Sequence, residues 1–280
     1  MPQPALHLLL ARRTLERWQG AGGAPFDTAG RDVVNAFLHG SLAPDMGNFP
    51  GGSTAFARQV HTRRTGAVAR TLLRSAATPR ERAFAWGWIT HVIADALIHP
   101  LVNEYALRRA PGVVEHVRVE VGIDVWFCWK NPLLQGMRLD PAFDRDGYAF
   151  LAAALADPGG IAVTGTQLAR MERGLILFSH GAVHFATTVA RHIWWRDDVS
   201  TVPLGSTLLW HTAAFLSPRE SVVNAYLTPH VPEPALVRSV EHALRTFETM
   251  LDDVVADEAA SLPDYDLENG SIVGMTRDVA

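Results

Sequence analysis

The chain has 280 residues, 48% hydrophobic and 19% charged, so it can bury a sizeable core as one large domain or two small ones. Its net charge of −4 with the histidines neutral excludes the basic face of a duplex-DNA binder, and its single cysteine, Cys128, excludes an intramolecular disulfide framework and fits a reducing compartment. The apolar start Ala5-Leu6-His7-Leu8-Leu9-Leu10 ends at Arg12-Arg13, too short for a secretory signal, and no later segment runs to roughly 18 uninterrupted apolar residues; the expectation is a soluble, cytoplasmic protein with no transmembrane segment, for which peripheral membrane contact stays open.

Helical periodicity runs along the chain without convincing alternating strands. Residues 5–19 read as a first helix, stopped by Gly20-Ala21-Gly22-Gly23, and residues 28–39 as a second. A loop rich in Pro and Gly follows over 42–52, and residues 53–76 read as helix carrying His61. Thr78-Pro79-Arg80-Glu81 combines an N-cap threonine, a proline at the first helical position and a glutamate at the third, a capping box that opens a helix reaching Arg109. Ala110-Pro111-Gly112 ends it, and 113–129 form the next helix, which so short a connection makes an antiparallel neighbour. Further helices are predicted over 141–156, 164–195 and 234–259, with a second start signal at Ser217-Pro218-Arg219-Glu220 and a polar, turn-like tail from Ser261. The expected architecture is one all-α, multi-helix domain over 1–280, with a metal-binding helical core in 1–130 and additional helices in 131–280 that complete the core and cleft.

The chemistry concentrates in two triplets, His91-x-x-x-Asp95-x-x-x-His99 and His116-x-x-x-Glu120-x-x-x-Asp124. A spacing of four stacks side chains on one helix face, and two such stripes separated by a Pro-Gly break form the facing walls of a metal site. Three titratable residues stacked in this way are costly to bury unpaired. Histidine nitrogen with carboxylate oxygen and no thiolate suits zinc with exchangeable water rather than a closed structural site, which points to a metal-dependent hydrolase. Earlier candidates are His7 on the first helix, Asp45, whose approach Pro44 stiffens, and His61. Asp124, one turn beyond Glu120, is expected to accept a hydrogen bond from the N–H of a ligand histidine. His180 and His184, among Phe178, Phe185, Trp194 and Trp195, read as packed core, Arg63-Arg64 as a solvated face, and Cys128 as a buried, inert thiol.

The order of these residues over 5–125 resembles the zinc-dependent phospholipase C family and the fungal single-strand nucleases related to it: an N-terminal His, a Pro-Asp loop, a helical His, His-x-x-x-Asp, His, then His-x-x-x-Glu. The resemblance implies an all-α fold with three zinc ions in a cleft. Asp45, His61, His91 and Asp95 would hold one ion, Asp95 would bridge to another that takes His7, and His99, His116 and Glu120 would hold the third. The secreted members also use the amino group and carbonyl of their first residue as ligands, whereas this chain begins Met1-Pro2-Gln3 with no cleavable signal. That leaves two or three ions as the expectation, and His39 as a further candidate beside His7. The Asp95-x-x-x-His99 interval is also shorter than the family's usual spacing. The implied activity is hydrolysis of a phospholipid-like phosphodiester by metal-activated hydroxide, with Asp45 orienting the water if it is not itself a ligand. A single-strand nuclease or nucleotidase on the same scaffold, and a non-catalytic metal-stabilised binding module, are the alternatives.

Overall fold

Thr78 and Glu81 close the capping box that the sequence announces. The Thr78 hydroxyl accepts from Glu81 N at 3.2 Å, and the Glu81 carboxylate accepts from the backbone of Thr78 at 2.9 Å and of Ala77 at 2.8 Å. From this start runs the longest helix in the computed structural model, which describes residues 4–110, 112–128, 131–134, 138–144, 146–177 and 230–273. The described helices are α1 (Pro4–Ala21), α2 (Arg31–Gly40), α3 (Thr54–Thr62), α4 (Thr65–Ser75), α5 (Pro79–Arg109), α6 (Val113–Cys128), α7 (Ala149–Ala156), α8 (165–177) and α9 (Pro234–Ala256). Helix α5, 31 residues and about 46 Å long, is the axis against which α1, α2, α4, α6 and α9 pack. Residues from Leu6 to Leu267 share one buried apolar cluster, as the expected all-α fold requires. No described helix is long and apolar enough to cross a membrane.

Three boundaries differ from the periodicity. The expected helix over 53–76 is two helices, because Arg63 is extended and Arg64 takes the left-handed conformation at φ 48°. A C-terminal segment docks into that break: Leu267 N donates to His61 O at 2.8 Å, and Thr65 Oγ1 exchanges hydrogen bonds with the backbone of Tyr265. Tertiary partners thus take over backbone groups that a continuous helix would have satisfied itself. The segment expected as helix from Pro141 is irregular until a 3-10 turn at Asp146–Tyr148 leads into α7. There Ala142 N donates to the buried Glu172 at 2.7 Å, and Phe143 turns in against Phe84 and Tyr148. The turn-like tail contains a short antiparallel pair, β1 (Tyr265–Asp266) with β2 (Ser271–Ile272). The expected extension of α8 to Trp195 and the start signal at Ser217 lie outside the described residues.

The α2–α5 crossing sets the distance between backbones near the site. A Cβ on Gly40 would sit 2.1 Å from Phe84 O, and one on Gly87 would sit 2.1 Å from Phe37 O. Only glycine at both positions allows this approach, which brings the Ser41 carbonyl to within 3.0 Å of His91 Nδ1. Gly87→Ala is therefore expected to cost about 3 kcal/mol or more, as overpacking against rigid backbone does. Urea unfolding measures the loss, and an unchanged midpoint would contradict the close crossing.

Candidate metal centre

The four-residue spacing on α5 turns His91, Asp95 and His99 into one stripe, and α6 faces it with His116 and Glu120. Helix α1 contributes His7, the 3-10 turn Ala43–Asn48 contributes Asp45, and α3 contributes His61. All of these are buried except His116, whose side chain is 23% exposed, against 2% or less for each of the others.

Asp95 is central. Its Oδ1 lies 3.2 Å from His7 Nε2, and its Oδ2 lies 3.1 Å from His91, 3.4 Å from His61 and 3.9 Å from His99, each measured to Nε2. Asp45 Oδ1 is 3.2 Å from His61 Nε2, and its Oδ2 is 4.0 Å from His7 Nε2. Glu120 Oε1 lies 2.8 Å from His116 Nε2 and 3.6 Å from His99 Nε2. The donor atoms form three groups, His7/His91/Asp95, Asp45/His61/His91 and His99/His116/Glu120, each with all its atoms within 4.8 Å of one another. Every residue expected at the site is thus brought to it, with one rearrangement: the residue shared by the first two groups is His91, stacked on the His7 ring at 4.1 Å, whereas Asp95, expected as the bridge, falls only in the His7 group.

The outward hydrogen bonds decide what the centre can hold. His61 Nδ1 donates to Ala57 O at 2.7 Å, and His91 Nδ1 donates to Ser41 O at 3.0 Å. A carbonyl only accepts, so both Nδ1 atoms carry a proton and both Nε2 atoms point inward, 3.4 Å apart. His116 Nδ1 makes the corresponding contact with Asn103 Oδ1 at 2.9 Å. Among the described residues, no group outside the cluster donates to either oxygen of Asp45 or Asp95, and none pairs with His7 Nε2 or the His99 ring nitrogens. Buried lone pairs facing one another are costly until a cation accepts them, and imidazole with carboxylate fits zinc.

In the metal-free chain a proton is the available substitute. Burial lowers the affinity of His61 for it, but Asp45 and Asp95 outweigh burial and push its pKa up to about 10. Burial likewise raises the Asp45 and Asp95 carboxyls, yet the neighbouring histidines, His91 foremost, hold both below the usual carboxylate range. Burial keeps His99 well below an ordinary histidine; burial and then His91 lower His7.

Two expectations are corrected by position. Asp124 accepts a hydrogen bond from no described histidine; its oxygens accept the backbone N–H groups of Ala5 and Leu6, both at 3.1 Å, and so cap the first turn of α1 just before His7. The end of a helix abutting α6 exposes unpaired donors, and the carboxylate facing them binds there first. His39 pairs with Glu172, its Nδ1 3.1 Å from Oε1, and joins none of the three groups. Arg63 and Arg64 are exposed, and burial raises the Cys128 thiol well above its ordinary pKa, as an inert cysteine requires. His180 and His184 lie outside the described residues. Sequence reasoning missed Asn103, although it continues the α5 stripe by one more step of four.

The zinc dependent phospholipase C family profile matches residues 6–151, more than half of the 280, and the chain belongs to that family. No curated protein and no solved structure matches the chain. The match contains every group of the centre and ends before α8 and α9.

The His61 proton sets a pH signature. Its folded pKa is raised, so its contribution to the metal-free chain is full below about pH 6.5 and is lost as pH rises through about 10. Chelator-treated protein should melt at falling temperature across that window, and zinc-loaded protein should not. A flat profile for the metal-free chain would count against the arrangement around His61. Asp124→Ala removes the α1 cap and is expected to cost about 1–2 kcal/mol by urea unfolding; a cost near zero would refute the capping role.

Proposed function

We propose that this chain is a zinc-dependent phosphodiester hydrolase of the phospholipase C type, holding two or three ions through His7, Asp45, His61, His91, Asp95, His99, His116 and Glu120. The observation that carries the reading is the inward convergence of imidazole Nε2 atoms and carboxylates that have no donor outside the cluster in a buried centre. Zinc bound there would supply Lewis acidity, making water a nucleophile at neutral pH and neutralising charge on the phosphate oxygens. The chain's own part is to hold the donors rigid: Ala57 O, Ser41 O and Asn103 Oδ1 fix three imidazoles, and the Asp124 cap fixes the turn that carries His7. The partial exposure of His116 supports access from solvent at the His99/His116/Glu120 group, as turnover requires and a closed structural site does not. In the reaction a water oxygen bonds to phosphorus, the ester P–O bond to the alcohol breaks, and the alcohol leaves with a proton.

Metal analysis of protein purified with excess zinc should give two or three ions per chain, and fewer than one would refute the proposal. His91→Ala and Glu120→Ala should each lose metal and lower phosphodiesterase activity by more than the roughly 100-fold that loss of an outer partner can cost. Retained chelator-sensitive activity in both variants would overturn the ligand assignment. Parallel assays on phosphatidylcholine emulsions, a chromogenic phosphodiester and single-stranded DNA test the substrate. Release of diacylglycerol supports the phospholipase reading, cleavage of DNA alone replaces it with a nuclease, and bound zinc without turnover replaces it with a binding module.

A further inference from the structure

One short segment beyond the family match touches both sides of the centre. Between Asp264 and Val273 the chain folds on itself: Gly270 N donates to Asp266 O at 2.7 Å, and Asp266 Oδ1 accepts from Glu268 N at 3.0 Å. This turn is anchored on α4 by Ala67 N to Asp264 Oδ1 at 2.7 Å, and on α3 by Leu267 N to the carbonyl of His61 at 2.8 Å. On α5 it packs so closely that a Cβ on Gly270, at φ +71°, would lie 2.4 Å from Ala96 O and from the Pro100 ring. Pro100 has no N–H to give the Ala96 carbonyl, so the backbone there is free of the usual helical partner.

From this turn the carbonyl of Glu268 accepts a hydrogen bond from Asn103 Nδ2. That contact fixes the amide's orientation, since a carbonyl cannot donate, and turns Asn103 Oδ1 toward His116. His116 Nδ1 must then carry a ring proton, 2.9 Å from Oδ1, which leaves Nε2, 2.8 Å from Glu120 Oε1, as the atom that can give its lone pair to a metal. The opposite tautomer would place an N–H on Nε2, 2.8 Å from Glu120 Oε1. That hydrogen bond would occupy both donor atoms of the His99/His116/Glu120 group at once.

We propose that Asn103, clamped by Glu268 of the C-terminal turn, is a positioning residue that holds His116 in its metal-binding tautomer and so sets the zinc affinity of the His99/His116/Glu120 group. This rests on the metal reading above. It makes the turn at 264–273 part of the centre's support.

The two contacts of Asn103 can be separated. Asn103→Asp keeps an oxygen for His116 Nδ1 and loses the donor to Glu268; Asn103→Leu loses both. Competition with a chromogenic zinc chelator, on the full chain, reads stoichiometry and affinity. Asn103→Leu should weaken one ion by about 10–100-fold and leave the rest near wild type, and Asn103→Asp should restore that ion. Long-range 1H–15N NMR of the histidine rings in zinc-free protein should show a proton on His116 Nδ1 in wild type and in Asn103→Asp, and a proton on Nε2 alone in Asn103→Leu. Unchanged zinc affinity in Asn103→Leu overturns the proposal, as does equal zinc loss in both variants, the mark of a merely structural residue. If Asn103→Leu does not fold, the wild-type spectrum still decides, because a His116 there with no proton on Nδ1 overturns the proposal. Wild-type protein that takes up less than one zinc removes the metal reading and this inference together, whereas normal wild-type uptake with an unaffected Asn103→Leu removes the inference alone.

Discussion

Buried lone pairs need a partner, and the interior of this helical protein is arranged around a set, centred on Asp45 and Asp95, that no described group outside it satisfies. Asp95 sits at its middle with histidine Nε2 atoms on both carboxylate oxygens, 3.1–3.9 Å away, and no donor outside the cluster among the described residues. In an apolar core such a cluster costs several kcal/mol unless something positive shares it. Without metal, a proton on His61 provides part of that charge. The chain therefore folds around a demand for cations, and its zinc dependent phospholipase C family membership is consistent with that demand.

Rigidity is supplied from outside the centre. The glycine pair at the α2–α5 crossing lets Ser41 O reach His91, the break between α3 and α4 leaves the His61 carbonyl to Leu267 N, and Asp124 caps the helix that carries His7. Each inward-facing donor whose orientation is set by an outward hydrogen bond pays its ordering cost at folding rather than at metal binding, which raises affinity by preorganisation. The same elements that build the core thereby orient the site.

The helices with strong local signals are legible in the sequence. The capping box at Thr78 and the Pro-Gly break after Arg109 place the bounds of α5, and the i, i+4, i+8 stripe identifies His91, Asp95 and His99 as a set. Less legible were features decided by distant partners. Nothing local in 53–76 announces the left-handed Arg64, because the groups that stabilise the break arrive from Tyr265 and Leu267, some 200 residues later. Asp124 has the spacing to support a ligand but caps a helix end instead, and His39 has the chemistry of a ligand but faces Glu172.

By itself the sequence determined which chemistry was available: imidazole and carboxylate without thiolate, presented on helix faces by a spacing of four, because side-chain identity and helical periodicity are local properties. Only the tertiary structure decided which of those groups meet, which ring nitrogen of His61 and His91 faces inward, and that His91 serves two groups at once. Those outcomes depend on carbonyls and helix ends brought together across the chain, and hydrogen-bond geometry over such separations is fixed by packing rather than by neighbouring residues.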